Sequence, residues 1–479
     1  MTPTPAIDLG PVAPELFLVA TGILLLVVGV LPRRPGATPR LTIALGGVAL
    51  AAVASLLLWH RTGPATVLAG AVAADRFGVA VRLVLLPVAG LGLLYAHLRD
   101  GESARPEAGA LVLFATAGMT LVAVASDLIV VFLGIEVLSL ALYVLTGMSP
   151  RLEASEAALK YFLLGSFASA FFLFGVAIAY GASGSTRLAD LSSALAGTGQ
   201  AHALGLLAIV LLTVGFAFKV GAVPFHMWTP DVYQGAPTPV TAFMSAGTKV
   251  AAFAAAMRVF DVGLAPLAWD WGPALALLAA VSIVVGSVLA IAQTDVKRML
   301  AYSSIAHAGF ILMGVSSPGQ GGMGAALFYL AAYAAMILGA FGVVLAIEGR
   351  DGGSDLDAFR GLGRRDPFLA GLLATFLLSM AGIPPLAGFA AKLQVFSAAV
   401  GAGRTWLVLV GVLASVAAAF FYLRLVVRMY MEEPADASAG TATAALRAAV
   451  AVPALVTVLL GIVPGPLLDL LGRAAVIRW

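Results

Sequence analysis

The chain has no cysteine, so it carries no disulfide, no thiolate-held iron–sulfur cluster, no thioether-linked haem and no cysteine nucleophile. Any redox step it serves takes place on another chain. Charge is also scarce: only 11% of the 479 residues are Asp, Glu, Lys or Arg, where soluble domains carry about 25%. The net charge of +3 is spread through short loops with no basic run, which excludes nucleic acid as a partner. Lysine is the scarcest cation, five against 22 arginines. No strands and no Gly-rich phosphate loop are expected, and no His, Asp or Glu cluster offers converging metal ligands.

What is present is apolar. Hydrophobic residues make up 61% of the chain and mean hydropathy is +1.04, so most of the surface must face lipid. A crossing needs about 20 apolar residues, and fourteen such stretches stand out, at 16–31, 41–59, 77–96, 108–125, 127–147, 158–180, 203–221, 238–257, 273–294, 297–316, 323–347, 367–398, 403–428 and 445–471. The expected class is an all-α membrane protein of about 14 transmembrane helices with no soluble head, since the largest loops are 181–202 and 348–366. The 53 glycines read as close helix contacts.

No cleavable leader is expected, because the first stretch follows acidic residues (Asp8, Glu15) and is closed by Arg33 and Arg34. Odd-numbered loops hold fifteen Lys and Arg residues, Lys297 among them, and even-numbered loops with the tails hold seven. By the positive-inside rule both termini are expected on the non-cytoplasmic side.

Ionisable groups inside spans are few: Glu136, Lys160, Lys219, Lys249, His307 and Lys392, with Arg82 near a helix start. Each costs about 2.5–3.5 kcal/mol to place at mid-membrane, so such groups face wet cavities or one another and mark ion routes. Four of the five lysines fall in spans. Arginine keeps its proton at physiological pH, whereas a desolvated lysine can release and regain one, and the pattern therefore suits a proton path. Glu136 is the one mid-span carboxylate. An opposite charge favours an ammonium and its withdrawal favours proton release, so Glu136 paired with a lysine on a neighbouring helix can act as a switch. Lys160 lies near the start of its span and His226 near a bend; both are weaker candidates that could also snorkel or pack. His60, His97 and His202 receive no role.

Two lysines stand beside prolines. Lys219 precedes Pro224 by five residues, and Pro384 and Pro385 with Gly382 and Gly388 interrupt the over-long twelfth stretch that carries Lys392. Proline removes a backbone donor and clashes with the preceding turn, and interrupted helices at membrane depth line cavities. Helices 7 and 12 are thus expected to be discontinuous. Five spans separate the breaks, which suggests two inverted five-helix repeats, spans 4–8 and 9–13. The expected organisation is a three-helix segment at 1–107, repeats at 108–258 and 273–430, and a C-terminal helix at 431–479. Lys249 and His307 fall between the breaks and suit a bridge, histidine being the side chain that titrates nearest neutrality.

The stretch KVGAVPFHMWTPDVYQGAPTPVTAFMSAGTKVAAF, residues 219–253, resembles the antiporter-like membrane subunits of respiratory complex I, the proton-pumping NADH–quinone oxidoreductases. DVKRMLAYSSIAHAGF (295–310) and GIPPLAGFAAKLQVF (382–396) are two further family stretches in the same order. The tryptophan is followed by Thr-Pro-Asp-Val rather than the Leu-Pro-Asp-Ala typical of two branches, residue 392 is lysine where one branch has glutamate, and no long lateral helix follows the last span. The resemblance covers essentially the whole chain. It implies Glu136 and Lys219 as a regulatory ion pair, Lys249 as the connecting residue, His307 on a central polar axis and Lys392 as the terminal proton donor. It further implies no cofactor in this chain, with NADH, FMN, iron–sulfur clusters and quinone in partner subunits. Expected partners are other membrane-arm subunits, an antiporter-like one (M) and small ones such as K and J, within a bacterial inner membrane. The main alternative is a subunit of a multisubunit cation/proton antiporter; a redox catalyst with its own quinone pocket and a purely structural scaffold suit the lysine chain less well.

Overall fold

The computed structural model describes residues 8–32, 35–61, 65–100, 105–197, 199–319, 321–351, 353–434 and 442–477. Arg33 and Arg34, counted above among the loop cations, lie outside them. In chain order the helices are α1 (Ala13–Gly29), α2 (Ala37–Arg61), α3 (Arg76–Asp100), α4 (Pro106–Val124), α5 (Leu128–Gly147), α6 (Leu152–Ser183), α7 (Leu188–Leu195), α8 (Gln200–Val220), α9 (Trp228–Gly235), α10 (Thr238–Arg258), α11 (Ala268–Ile291), α12 (Val296–Val315), α13 (Gly322–Asp351), α14 (Leu362–Arg365), α15 (Pro367–Ala381), α16 (Ala387–Gly401), α17 (Thr405–Met431), α18 (Ala444–Ile462) and α19 (Gly465–Ala474).

Among the described residues twelve helices are long and apolar enough to cross a membrane, so the chain is a mainly helical, multi-pass membrane protein. The other two expected stretches fall on α12 and on α15 with α16. Polar residues lower the hydropathy of α12, yet of its 20 residues only Arg298 and Tyr302 are not buried, which is how a polar helix survives inside a bundle.

Sequence and structure differ in four places. A short antiparallel hairpin, β1 (Ala65–Val67) with β2 (Val72–Ala74), stands where no strand was expected. Its two pairing segments are three residues each, too short to show a period. The last stretch is divided: α18 stops at Ile462 and α19 resumes after Pro464, because proline suits a helix start and not its interior. α6 begins at Leu152, which puts Lys160 in its third turn. Lys297, counted as a loop cation, is the second residue of α12 and its side chain is 1% exposed.

α10 and α13 form the centre and are buried almost throughout, whereas α2, α6, α17 and α18 are only about a third buried. The outer faces carry Leu159, Phe162, Leu163 and Phe167 on α6 and Leu409, Leu413, Val416 and Phe420 on α17, the apolar exterior that a lipid solvent requires. Two antiparallel pairs approach to backbone contact through glycine. A Cβ on Gly118 of α4 would lie 2.7 Å from the Gly134 carbonyl of α5, and one on Gly286 of α11 would lie 2.5 Å from the Ala306 nitrogen of α12, the small-residue packing of membrane bundles. Asp127, Asp295, Asp366 and Thr443 cap α5, α12, α15 and α18 by accepting a first-turn N–H.

Two buried ion pairs fasten α3 to its neighbours. Arg82 donates to both oxygens of Glu15 at 2.9 and 2.7 Å and to the Pro11 carbonyl at 2.8 Å, so this intramembrane arginine has a structural partner. Arg258 grips Asp75 with two bonds of 2.6 and 2.9 Å and also reaches the Ala123 carbonyl. Burial pushes the Asp75 carboxyl up, but the Arg258 guanidinium against it prevails and holds it below its ordinary value.

Candidate functional site

Both proline-bearing helices are broken as expected. α8 ends at Val220, capped by Gly221 in the left-handed conformation (φ +71°), and α9 resumes at Trp228; Val223–Pro224 is a cis peptide. α15 ends at Ala381, capped by Gly382 (φ +95°), and α16 resumes at Ala387; Pro384–Pro385 is cis. Glycine is what a left-handed cap demands.

Each break leaves the last carbonyls of a half-helix without intrahelical donors, and in each a buried lysine supplies one. Lys249 of α10 donates to the carbonyl of Val220, the final residue of α8. Lys392 of α16 donates to the carbonyl of Ala381, the final residue of α15, at 2.9 Å, and to Ser415 Oγ of α17 at 3.1 Å. Its ammonium also lies over the Phe310 ring, 4.8 Å from the centroid. A helix C-terminus carries partial negative charge, so these two sites can hold an ammonium that has no carboxylate beside it. Lys249 is 1% exposed and Lys392 is 5% exposed.

Lys219 sits beside Val220 on the same half-helix and donates to Ser139 Oγ of α5 at 2.7 Å. Three residues before Ser139 on α5 is Glu136, half-buried, whose carboxylate accepts from Ser169 of α6. Glu136, Ser169 and Lys219 line one small cavity with about 10 Å³ of water-accessible space, close to what a single water needs. Among the described residues no contact ion pair joins Glu136 to Lys219; serine hydroxyls stand in for it on both sides. The expected pair is therefore brought to one cavity but is not in direct contact.

His307 lies on α12, and its ring is 6.3 Å, centroid to centroid, from Phe310, the ring that the Lys392 ammonium covers. Its Nδ1 meets the Tyr329 hydroxyl at 2.8 Å and its Nε2 meets the Tyr422 hydroxyl at 3.3 Å. The Tyr333 ring is 5.3 Å away, and its hydroxyl donates to Ser304 Oγ at 2.8 Å. Tyr422 also meets Ser303. Glu136, Lys219 and Lys249 thus gather about the end of α8 and His307 and Lys392 about Phe310, a polar line carried by α5, α8, α10, α12 and α16.

Lys160 and His226 lie off that line. Lys160 is 42% exposed and pairs with Glu156 at 2.7 Å and Asp231 at 2.8 Å, and Asp231 also takes Arg298 at 2.7 Å. His226 is half-buried in the break before α9. Sequence reading missed the hydroxyls that separate the titratable groups: Ser139, Ser169, Tyr329, Tyr333, Tyr422 and Ser415. A signal was available, since a tyrosine buried in lipid-enclosed protein needs a polar partner and Tyr329 and Tyr333 sit four apart on α13. Among the described residues no group of His, Asp or Glu could hold a metal ion.

Comparison with known proteins agrees with this architecture. The family described as NADH:quinone oxidoreductase/Mrp antiporter, TM, matches residues 125–418. NADH-quinone oxidoreductase subunit N of Chloroflexus aggregans is 44% identical over 99% of this chain and 98% of its own, and the subunit N of Rhodococcus opacus is 43% identical over 99% and 97%. A chain of respiratory complex I from Thermus thermophilus has a TM-score of 0.82 at 37% identity, covering 95% of this chain and 98% of that one. A chain of the Mrp complex from Dietzia sp. shares the fold, with a TM-score of 0.86 at 23% identity over 97% of each chain. With relatives of this similarity from end to end, and both helix breaks inside the matched region, the chain belongs to the NADH:quinone oxidoreductase/Mrp antiporter transmembrane family, and within it to the NADH-quinone oxidoreductase subunit N group.

Proposed function

We propose that this chain translocates protons as a membrane subunit of an NADH–quinone oxidoreductase, driven by quinone reduction elsewhere in the complex. The observation that carries the reading is the pair of broken helices, each offering its terminal carbonyl to a buried lysine on a line shared with His307. An ammonium held by a carbonyl and a hydroxyl, rather than by a carboxylate, can give up its proton without stranding a buried negative charge. Glu136 and Lys219 form the responsive end: moving charge toward or away from Glu136 alters the hold on the Lys219 proton across a water-sized gap. The proton then passes by way of Lys249 and His307, with Tyr329 and Tyr422 as hydroxyl relays, to Lys392 and Ser415. Moving one charge against 100 mV requires about 2.3 kcal/mol, within reach of a few coupled rearrangements of this kind.

The same reading assigns fourteen crossings, counting α12 and α15 with α16, and two inverted repeats over spans 4–8 and 9–13, framed by a three-helix segment at 1–107 and a C-terminal part at 431–479. The glycine contacts support it, since α4 with α5 and α11 with α12 hold the same place in each repeat. Both termini lie outside the cytoplasm of a bacterial inner membrane. The NADH, flavin, iron–sulfur and quinone chemistry resides in partner subunits, and Lys160 and His226 serve the surface and the break rather than the axis. Membrane-arm subunits of complex I are the natural partners, M, K and J among them; an Mrp-type antiporter is less favoured, because the likeness there is one of fold at lower identity.

Replacing Lys249 with methionine tests this. Membranes carrying the assembled variant complex are expected to lose proton pumping through this subunit, while NADH oxidation by an artificial acceptor stays unchanged. Normal pumping would remove the chain from the proton path.

A further inference from the structure

One buried lysine is unused by the axis. Lys297, 1% exposed, donates at 2.8 Å to the carbonyl of Ala236, the residue that caps the C-terminus of α9. It is thus the third lysine lodged on the carbonyl end of a half-helix, after Lys249 and Lys392. Unlike them it has a carboxylate nearby: Glu348, near the end of α13, lies 3.7 Å away with a side chain 9% exposed. Glu348 also takes Arg99 at 3.0 Å and the Thr238 hydroxyl. The further charges that act on Lys297 are Asp295, Arg151 and Arg99.

The pair stands between water and the axis. On one side Glu348 lines an open polar cleft of about 420 Å³ that also holds Lys160, Asp231 and Arg298. On the other, Ser304 lies seven residues further along α12, two turns on and on the same face as Lys297. Ser304 receives the Tyr333 hydroxyl at 2.8 Å and meets the Tyr233 hydroxyl, and the Tyr333 ring packs on His307.

We propose that Lys297 and Glu348 form the proton-loading site of the axis, at the end of the bundle assigned above to the cytoplasm; this rests on the proton-translocating reading. Glu348 takes a proton from hydronium in the cleft and passes it to the neutral Lys297 amine, which restores the carboxylate. Lys297 then releases the proton toward Ser304 and His307 and returns to the amine. The arrangement repeats the Glu136–Lys219 logic with the carboxylate on the wet side.

The test uses the complete complex in proteoliposomes, reading protons moved per NADH oxidised, with artificial-acceptor NADH oxidation as the control for assembly. The double variant Lys297→Met with Glu348→Gln removes both charges of the pair together, while Arg99 keeps Asp100 at 4.0 Å. It is expected to lose proton pumping through this subunit, and Lys297→Arg, which keeps the charge and the bond to Ala236 but holds its proton, is expected not to rescue it. Should the double variant fail to assemble, Glu348→Gln alone decides: slowed pumping supports the loading site and normal pumping overturns it. Full pumping by the double variant or by Lys297→Arg makes the pair a structural tie and overturns the proposal. Lys249→Met in the same preparation separates the two claims. If it is impaired while the Lys297 variants are normal, only the loading site falls; if it too is normal, the reading of the whole chain falls.

Discussion

Lys219→Ala is expected to lower NADH-driven proton pumping and coupled NADH–quinone turnover together, by about tenfold or more, with assembly intact and artificial-acceptor NADH oxidation unchanged. Lys219 is 5% exposed and donates to Ser139, in the cavity that also admits Glu136. Alanine removes the titratable group and widens that cavity, so water can enter without finding a carrier. The pumping assay in inverted membranes checks the result, with complex content measured in parallel. Unchanged turnover would make Lys219 a packing lysine and would take the Glu136–Lys219 pair out of the proton path.

A second large effect is expected where no titratable group is involved. Gly286→Leu should prevent the chain from accumulating in assembled complex, because even a Cβ there would lie 2.5 Å from the Ala306 nitrogen and 2.8 Å from the Tyr302 carbonyl. Backbone atoms cannot turn aside as a flexible side chain can, and overpacking of this kind costs about 3 kcal/mol or more. Prising α11 from α12 would also displace Ser303, Ser304 and His307, all on α12. Immunodetection of the complex on a native gel reads the outcome. A fully assembled, active Gly286→Leu complex would show that the α11–α12 contact is not the tight one described.

The legible part of this protein was the expensive part. Ionisable residues in lipid and prolines in long helices each violate a strong local rule, so Glu136, Lys219, Lys249, His307, Lys392 and both helix breaks stand out as what costs most where it lies. Hydroxyls violate nothing. Ser139 and Tyr333 look ordinary in an apolar run, and only the fold shows that they join the titratable groups. Distance was illegible as well: the expected contact between Glu136 and Lys219 is in fact two serine-held groups facing one small cavity. Lys297 was misplaced for a simpler reason. It stands beside Arg298 at a helix start, where sequence fixes boundaries least well, and one residue decides whether a cation snorkels or is buried. The hairpin at 65–74 and the division at Pro464 are likewise short local events inside or beside long apolar runs.

In the proposed path, lysines lodged on the carbonyl ends of broken helices carry the proton rather than merely neutralise those ends. The most direct test is protons moved per NADH oxidised by reconstituted complex bearing Lys392→Arg, beside Lys392→Met. Arginine keeps a cation against the Ala381 carbonyl and Ser415 but does not release its proton. Both variants are expected to assemble and to lose pumping through this subunit. Full pumping with arginine at position 392 would contradict that path and would make the lysine a fixed counter-charge for the helix end.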